Sequence, residues 1–119
     1  MSDMDLRQQL RYRTLAAFRL TVETRSATRA AEVLGITQPA VSQLLAGLER
    51  AVGFQLFSRG AGRRLEPTGE ARLLLEHVSR VLDAMGGLER LAKSLAGAEG
   101  RLEDRPIGTP RAWHQQPAE

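Results

Sequence analysis

Apolar positions near the start of the chain recur at helical spacing. Leu15, Phe18 and Val22 stand at i, i+3 and i+7, so they share one face of a helix predicted over residues 11–24. Three arginines flank this face and are expected to point into water: Arg13, Arg19 and Arg25. The pattern therefore indicates an amphipathic first helix that packs on one side.

Capping residues and glycines delimit two further helices. Ser26 is a good N-cap for a short second helix, and Gly35 supplies a left-handed residue to end it. Thr37 is placed to cap a third helix that starts at Gln38, and Gly53 is placed to stop it. The apolar face of the third helix consists of Val41, Leu44, Leu45, Leu48 and Val52. Two helices joined by a tight turn are thus predicted.

A short hairpin is predicted after the third helix. Residues 54–59 partly alternate, and residues 63–66 follow the turn residues Gly60, Ala61 and Gly62. Thr68 then stands as the N-cap of another helix, with Glu70 near the positive end of the helix dipole. The pattern indicates two short strands followed by a helix.

This last helix is predicted to be long because its apolar residues keep a heptad seam for three repeats: Leu74, Val78, Val81, Met85, Leu88, Ala92 and Leu95. The seam can dock on the chain's own core or pair with a second chain, and the repeat favours pairing. Leu75, Leu82 and Leu91 widen the stripe, so some packing on the same domain is also expected. Gly86 and Gly87 should weaken the helix by about 2 kcal/mol relative to two alanines, so a kink or break is expected there.

Composition sets the scale of the molecule. The chain has 119 residues, 42% hydrophobic and 26% charged, which fits one small folded domain with an appended element. Residues 1–65 hold ten arginines against five acidic residues, a net charge of +5, whereas residues 66–119 carry −2. Periodicity ends near Gly97, and residues 98–119 are predicted to be disordered. The basic excess belongs to the helical first half.

Several functional classes find no support. There is no cysteine, which excludes disulfides, thiolate catalysis and cysteine-ligated zinc, and the two histidines, His77 and His114, are far apart in the sequence. No catalytic constellation can be assembled, so we expect a protein that is not an enzyme and binds no metal or cofactor. No apolar stretch reaches the length of a membrane span, and no secretory signal is visible, so the expected location is the cytoplasm.

The helical pair offers a candidate function. The major groove of DNA, about 12 Å wide, admits one helix, whose first turn must carry short polar side chains that reach base edges. Gln38, Ser42 and Gln43 meet that need. The hairpin arginines Arg59, Arg63 and Arg64 could contact the phosphate backbone, as a wing does. The pattern alone is weak, because a purely structural pair of helices fits it at least as well. If the protein binds nucleic acid, double-stranded DNA is preferred over RNA as the partner.

A wider set of residues resembles a known family. The stretches that carry the likeness are residues 26–34, residues 37–43 (Thr-Gln-Pro-Ala-Val-Ser-Gln), Leu48-Glu49, Gly53, residues 56–59 (Leu-Phe-Ser-Arg) and residues 65–71 (Leu-Glu-Pro-Thr-Gly-Glu-Ala). In this order they resemble the N-terminal region of LysR-type transcriptional regulators. The resemblance implies a mainly α fold: a winged helix-turn-helix of three helices and a short hairpin over residues 10–67, then a linker helix over 68–97.

The resemblance also implies site residues. Base-reading positions fall on Gln38, Pro39, Ser42 and Gln43, and phosphate contacts fall on Ser26, Thr28, Thr37 and the wing arginines. The linker helix is expected to pair with that of a second copy, giving a homodimer or a tetramer. Dimer contacts are assigned to Leu74, Val78, Val81, Met85, Leu88 and Leu95.

Two departures from the family pattern change the expected function. Many relatives carry arginine where this chain has Gln43, which removes a guanine contact from the expectation. The effector-binding domain of the family is not found after residue 97, so we expect no small-molecule site here, and a truncation or a frameshift after Leu102 is one hypothesis. An alternative to a self-contained DNA-binding dimer is an interaction module that forms mixed dimers with a full-length relative and inhibits it.

Overall fold

The computed structural model describes residues 3–60, 62 and 64–97, with side chains described from Leu6 onward. It is mainly helical with one two-stranded antiparallel hairpin, as predicted. The elements are α1 (Asp3–Gln9), α2 (Tyr12–Thr24), α3 (Ala27–Leu34), α4 (Gln38–Val52), β1 (Phe57–Arg59), β2 (Leu65–Pro67) and α5 (Gly69–Gly97). The predicted disordered tail, residues 98–119, lies outside the described residues.

The chain divides into two compact units, Met1–Asp83 and Ala84–Glu119. The first unit holds α1 to α4, the hairpin and the first half of α5. The described part of the second unit is the remainder of α5.

The helix-turn-helix forms at the residues that its caps predict. The Ser26 side chain accepts a hydrogen bond from Arg29 N (3.1 Å), and the Thr37 side chain accepts one from Ala40 N (3.2 Å). Gly35 ends α3 in the left-handed region with φ 72°. Each cap satisfies a backbone N–H that the first helical turn leaves unpaired. The boundaries predicted for α3 and α4 are therefore confirmed.

The core of the first unit lies between α2, α3, α4, the hairpin and the start of α5. Phe18, Leu48 and Leu56 are fully buried. The Phe18 ring meets that of Phe57 edge-on, with centroids 6.0 Å apart. Val78 adds a buried side chain from α5, as does Leu82. Packing of α5 on its own domain, expected from the widened stripe, is thus observed.

The hairpin is shorter and shifted relative to the predicted strands. Phe57 pairs with Pro67 and Arg59 with Leu65, so residues 54–56 are not in a strand. The segment before β1 forms other hydrogen bonds: Leu56 N donates to Glu49 Oε2 of α4 at 2.8 Å, and Thr68 Oγ1 donates to Gln55 O at 2.7 Å. Alternation alone could not reveal these competing contacts.

The expected break at Gly86 and Gly87 is wrong, because α5 is one continuous helix from Gly69 to Gly97. Glycine weakens a helix through backbone entropy, but unlike proline it keeps its N–H donor. Both residues can therefore continue the helical hydrogen bonding.

Helix α1 was not predicted, since residues 3–9 show no apolar seam. It packs on α4, where the Gln9 side chain covers the buried Gly47. The contact is tight: a Cβ added at position 47 would lie 2.8 Å from Gln9 Oε1.

Candidate nucleic-acid interface

The N-terminal edge of α4 presents the predicted base-reading residues on an open surface. Gln38, Pro39, Ser42 and Gln43 are all exposed. Thr37 fixes the start of the helix, and Pro39 fits its first turn, where no N–H is needed. The structure thus brings the four residues together along one accessible edge, and their contact with bases stays a prediction.

The polar side chains along this edge differ in whether they form hydrogen bonds within the chain. Gln38 Nε2 donates a hydrogen bond to Ser42 Oγ at 2.6 Å, one helical turn away. Among the described residues, the Gln43 amide has no hydrogen-bond partner and keeps both its donors and its acceptor available. Gln43 is therefore the side chain most ready to bind an external group.

The predicted phosphate contacts belong to the starts of α3 and α4 and to the hairpin. The hydroxyls of Ser26 and Thr37 accept backbone N–H groups as caps, and each hydroxyl keeps its own proton for donation to an external oxygen. Thr28, Arg59 and Arg64 are exposed. Arg63 lies outside the described residues.

Sequence reasoning missed the role of Arg25, which was expected to point into water. This residue ends α2 with φ 59°, and it is the only non-glycine residue with positive φ in the described part of the chain. Its guanidinium pairs with Glu66 on β2 at 3.0 Å, and its carbonyl accepts Leu65 N at 3.3 Å. Arg25 thereby ties the helical pair to the hairpin. No periodic signal marks such a contact.

Arg19 was also expected to face water and instead forms ion pairs. Its guanidinium lies 3.2 Å from Asp83 on α5 and 4.0 Å from Glu23. Arg13 is exposed, as expected.

Gly60 leaves space for the Arg25–Glu66 contact. A Cβ at position 60 would lie 2.6 Å from Glu66 Cγ, which is closer than real side chains approach. The hairpin therefore needs glycine here if Glu66 is to reach Arg25.

We expect a measurable coupling between Arg25 and Glu66. In a double-mutant cycle with Arg25→Gln and Glu66→Gln, urea unfolding should give a coupling of about 0.5–1 kcal/mol, because the pair is partly exposed. Glu76→Gln, an exposed acidic residue on α5 without an ion pair to any described residue, serves as the control and should change stability little. Additive losses in the cycle would contradict the role given to this pair.

The residues of the predicted seam on α5 fall into two groups, one packed against the core and one exposed to solvent. Within the first unit, Val78 is only 4% exposed and Leu74 packs against the core, so both serve the chain's own packing, whereas Val81 is exposed. Within the second unit the apolar side chains are open to solvent: Met85, Leu88, Leu91 and Leu95. Exposed apolar side chains at this spacing make this part of α5 a candidate interaction surface. Pairing with a second chain remains a prediction for Val81, Met85, Leu88 and Leu95.

Comparison with known proteins decides the family. The model of the "Bacterial regulatory helix-turn-helix protein, lysR family" matches residues 12–72. The chain belongs to the LysR family. The regulatory protein NocR of Agrobacterium fabrum is 42% identical over 83 residues, which cover 70% of this chain and 27% of NocR.

Two crystal structures of DNA complexes share the fold. The BenM DBD with catB site 1 DNA is 31% identical and superposes with a TM-score of 0.64, covering 73% of this chain and 92% of that one. The CbnR DBD–DNA complex is 27% identical with a TM-score of 0.63, covering 72% and 98%. The winged helix-turn-helix fold class is thereby confirmed.

The chain spans about a quarter of the length of its LysR-family relative NocR. NocR is named as a regulatory protein, and DgcR of Pseudoalteromonas sp., 37% identical over 90 residues (76% of this chain, 31% of DgcR), is named as an HTH-type transcriptional regulator. Within the described residues, no group of three or more acidic or histidine side chains could hold a metal ion. None of the helices in that same part is long and apolar enough to cross a bilayer.

Proposed function

We propose that this chain binds double-stranded DNA in a sequence-specific manner and serves transcription regulation as a homodimer. The observation that carries the proposal is the exposed edge of α4, where Gln38, Ser42 and Gln43 are accessible within a LysR-family helix-turn-helix. The match to two domains solved with DNA supports it. The proposal places the protein at the bacterial nucleoid.

Base reading follows from the chemistry of this edge. A glutamine side chain pairs with adenine through two hydrogen bonds: its amide N–H donates to adenine N7, and its amide oxygen accepts from adenine N6–H. Both the N–H and the oxygen must therefore be free of other partners. Gln43 meets this condition. Pro39 has no long polar side chain and lets the backbone approach the groove closely. Adenine is therefore the base we expect opposite Gln43.

Backbone contacts would hold α4 in the groove. The hydroxyls of Ser26, Thr28 and Thr37 can donate to phosphate oxygens, and Arg59 and Arg64 add positive charge from the hairpin. Arg63 joins this set on the basis of sequence alone. These contacts position the protein without reading sequence, so they should act alike on all duplexes.

Dimer formation would place two copies of α4 on the two halves of an interrupted inverted repeat. The surface proposed for pairing is the exposed row on α5, namely Val81, Met85, Leu88 and Leu95. In this proposal residues 10–67 bind DNA and residues 68–97 form the linker helix.

The test is to select bound duplexes from a random pool and to measure affinities on the enriched site. Gln43→Ala should weaken binding to that site by about 1–3 kcal/mol and leave random DNA unaffected. Arg64→Ala should weaken both duplexes alike and make the salt dependence shallower by about 0.9 in log–log slope. Gln55→Ala, an exposed glutamine outside α4, is the matched control. Equal losses on selected and random DNA for Gln43→Ala would overturn the base-reading role.

The exposed row on α5 also favours a second role, pairing with a full-length LysR-family relative to give inhibitory mixed dimers. Sedimentation of the chain alone and with such a relative separates the two. The homodimer is supported if the chain sediments as a dimer alone and forms no complex with the relative. The mixed dimer is supported if the chain is a monomer alone and forms a complex when the relative is added.

A further inference from the structure

A cleft beside the base-reading edge has no assigned role. It lies in the first unit, between the end of α1, the start of α2 and the outer side of α4. Its lining includes Arg11, Arg13, Gln43 and Arg50. Arg11 stands just before α2, outside the LysR-family match at residues 12–72, and α1 closes one side of the cleft through the Gln9 contact with Gly47.

Arg11, Arg13 and Arg50 of the cleft are exposed and form no ion pair with any described residue. Arg11 Nε donates to Gln8 O at 2.8 Å, which anchors this side chain at the end of α1. Beyond that bond, the side chains of Arg11, Arg13 and Arg50 form no hydrogen bond or ion pair with any residue the structure describes. Arg19, Arg25 and Arg29, by contrast, all pair with carboxylates. Within the part of the chain that the structure describes, no carboxylate pairs with these three arginines.

The nearest acidic neighbour in sequence is otherwise engaged. Glu49 precedes Arg50, but its carboxylate accepts Leu56 N at 2.8 Å and serves the turn after α4. Arg13 lies in the first turn of α2, which contains no acidic residue, so its charge adds to the positive end of that helix. Both features make the cleft attractive to an anion.

We propose that Arg11, Arg13 and Arg50 bind phosphodiester groups of the duplex next to the bases read from α4. This inference rests on the proposed function. Guanidinium groups match phosphate oxygens with two parallel hydrogen bonds. Gln43 belongs both to the cleft lining and to the base-reading edge, so an anion held in the cleft lies beside that edge. The phosphate backbone of a duplex that lies along α4 would reach both the cleft and this edge, so it is the anion we expect in the cleft.

The test compares Arg11→Gln and Arg13→Gln with wild type on selected and random duplexes over a series of salt concentrations. Each variant should bind both duplexes about tenfold more weakly, as for one lost charge-assisted contact. Its log–log salt slope should be shallower by about 0.9. Arg80→Gln removes an exposed arginine from α5, whose guanidinium lies 3.2 Å from His77 Nδ1, and is the matched control with unchanged binding.

A conservative variant separates a direct contact from a structural effect. Arg13→Lys should restore the salt slope and part of the affinity, because lysine keeps the charge but not the two-pronged geometry. If wild type and Arg13→Gln share the same slope while Gln43→Ala still loses its selected site, the cleft proposal is overturned and the proposed function survives. If wild type binds no duplex at low salt, both are overturned.

Discussion

Phe18→Ala is expected to lower the free energy of unfolding by about 3–5 kcal/mol. The Phe18 ring is fully buried and packs edge-on against Phe57, so its removal leaves a cavity between α2 and the hairpin. A domain of this size is stabilised by only about 5–15 kcal/mol in total. The variant should therefore be partly unfolded at physiological temperature.

Urea unfolding followed by circular dichroism measures this loss. Tyr12→Ala removes an aromatic ring from the same helix, but Tyr12 is 56% exposed, so its change should stay within about 0.5 kcal/mol. A loss below about 1 kcal/mol for Phe18→Ala would contradict the core described above, since even a modest cavity costs more.

Leu88→Arg is expected to turn the proposed dimer into a monomer. Leu88 is 66% exposed within its own chain, so the arginine costs the fold little, whereas in a paired seam it would bury an unpartnered charge. Binding to a duplex with two half-sites should fall by about 10²–10⁴-fold, because the second contact loses its effective concentration. Binding to a single half-site should not change.

Sedimentation equilibrium and titration of both duplexes measure these effects. Ser94→Arg adds the same charge at an exposed position of α5 outside the seam and should leave the mass unchanged. Val81→Arg should behave like Leu88→Arg, since Val81 is also an exposed seam member. A Leu88→Arg protein that keeps the mass of a wild-type dimer would rule out pairing through this row.

The helix-turn-helix could be predicted from sequence because its signals are local. Ser26 and Thr37 each cap a helix through a backbone N–H three residues ahead, so side-chain type and position suffice to place the start. Gly35 and Gly53 adopt positive φ where the helices end. The exposed edge of α4 follows directly, because the apolar residues of that helix fix which side is buried.

Contacts between distant residues could not be predicted. The conformation of Arg25 depends on Glu66 and Leu65, about forty positions along the chain. Helix α1 depends on a polar side chain, Gln9, resting on a glycine of α4, a contact with no hydrophobic period. The position of the first strand also involves a contact that the pattern does not show, the hydrogen bond from Leu56 N to Glu49 Oε2 of α4.

The hydrogen bond between Gln38 and Ser42 affects how strictly this edge could discriminate. Because Gln38 Nε2 and Ser42 Oγ already share a hydrogen bond in the free chain, a matching base that engages these two groups exchanges one bond for another. A mismatched base that separates them leaves two polar groups dehydrated and without partners. Selectivity at Gln38 and Ser42 would then arise mainly from weaker binding to wrong sequences. The effects of changing the adjacent bases opposite these two residues should therefore not be additive.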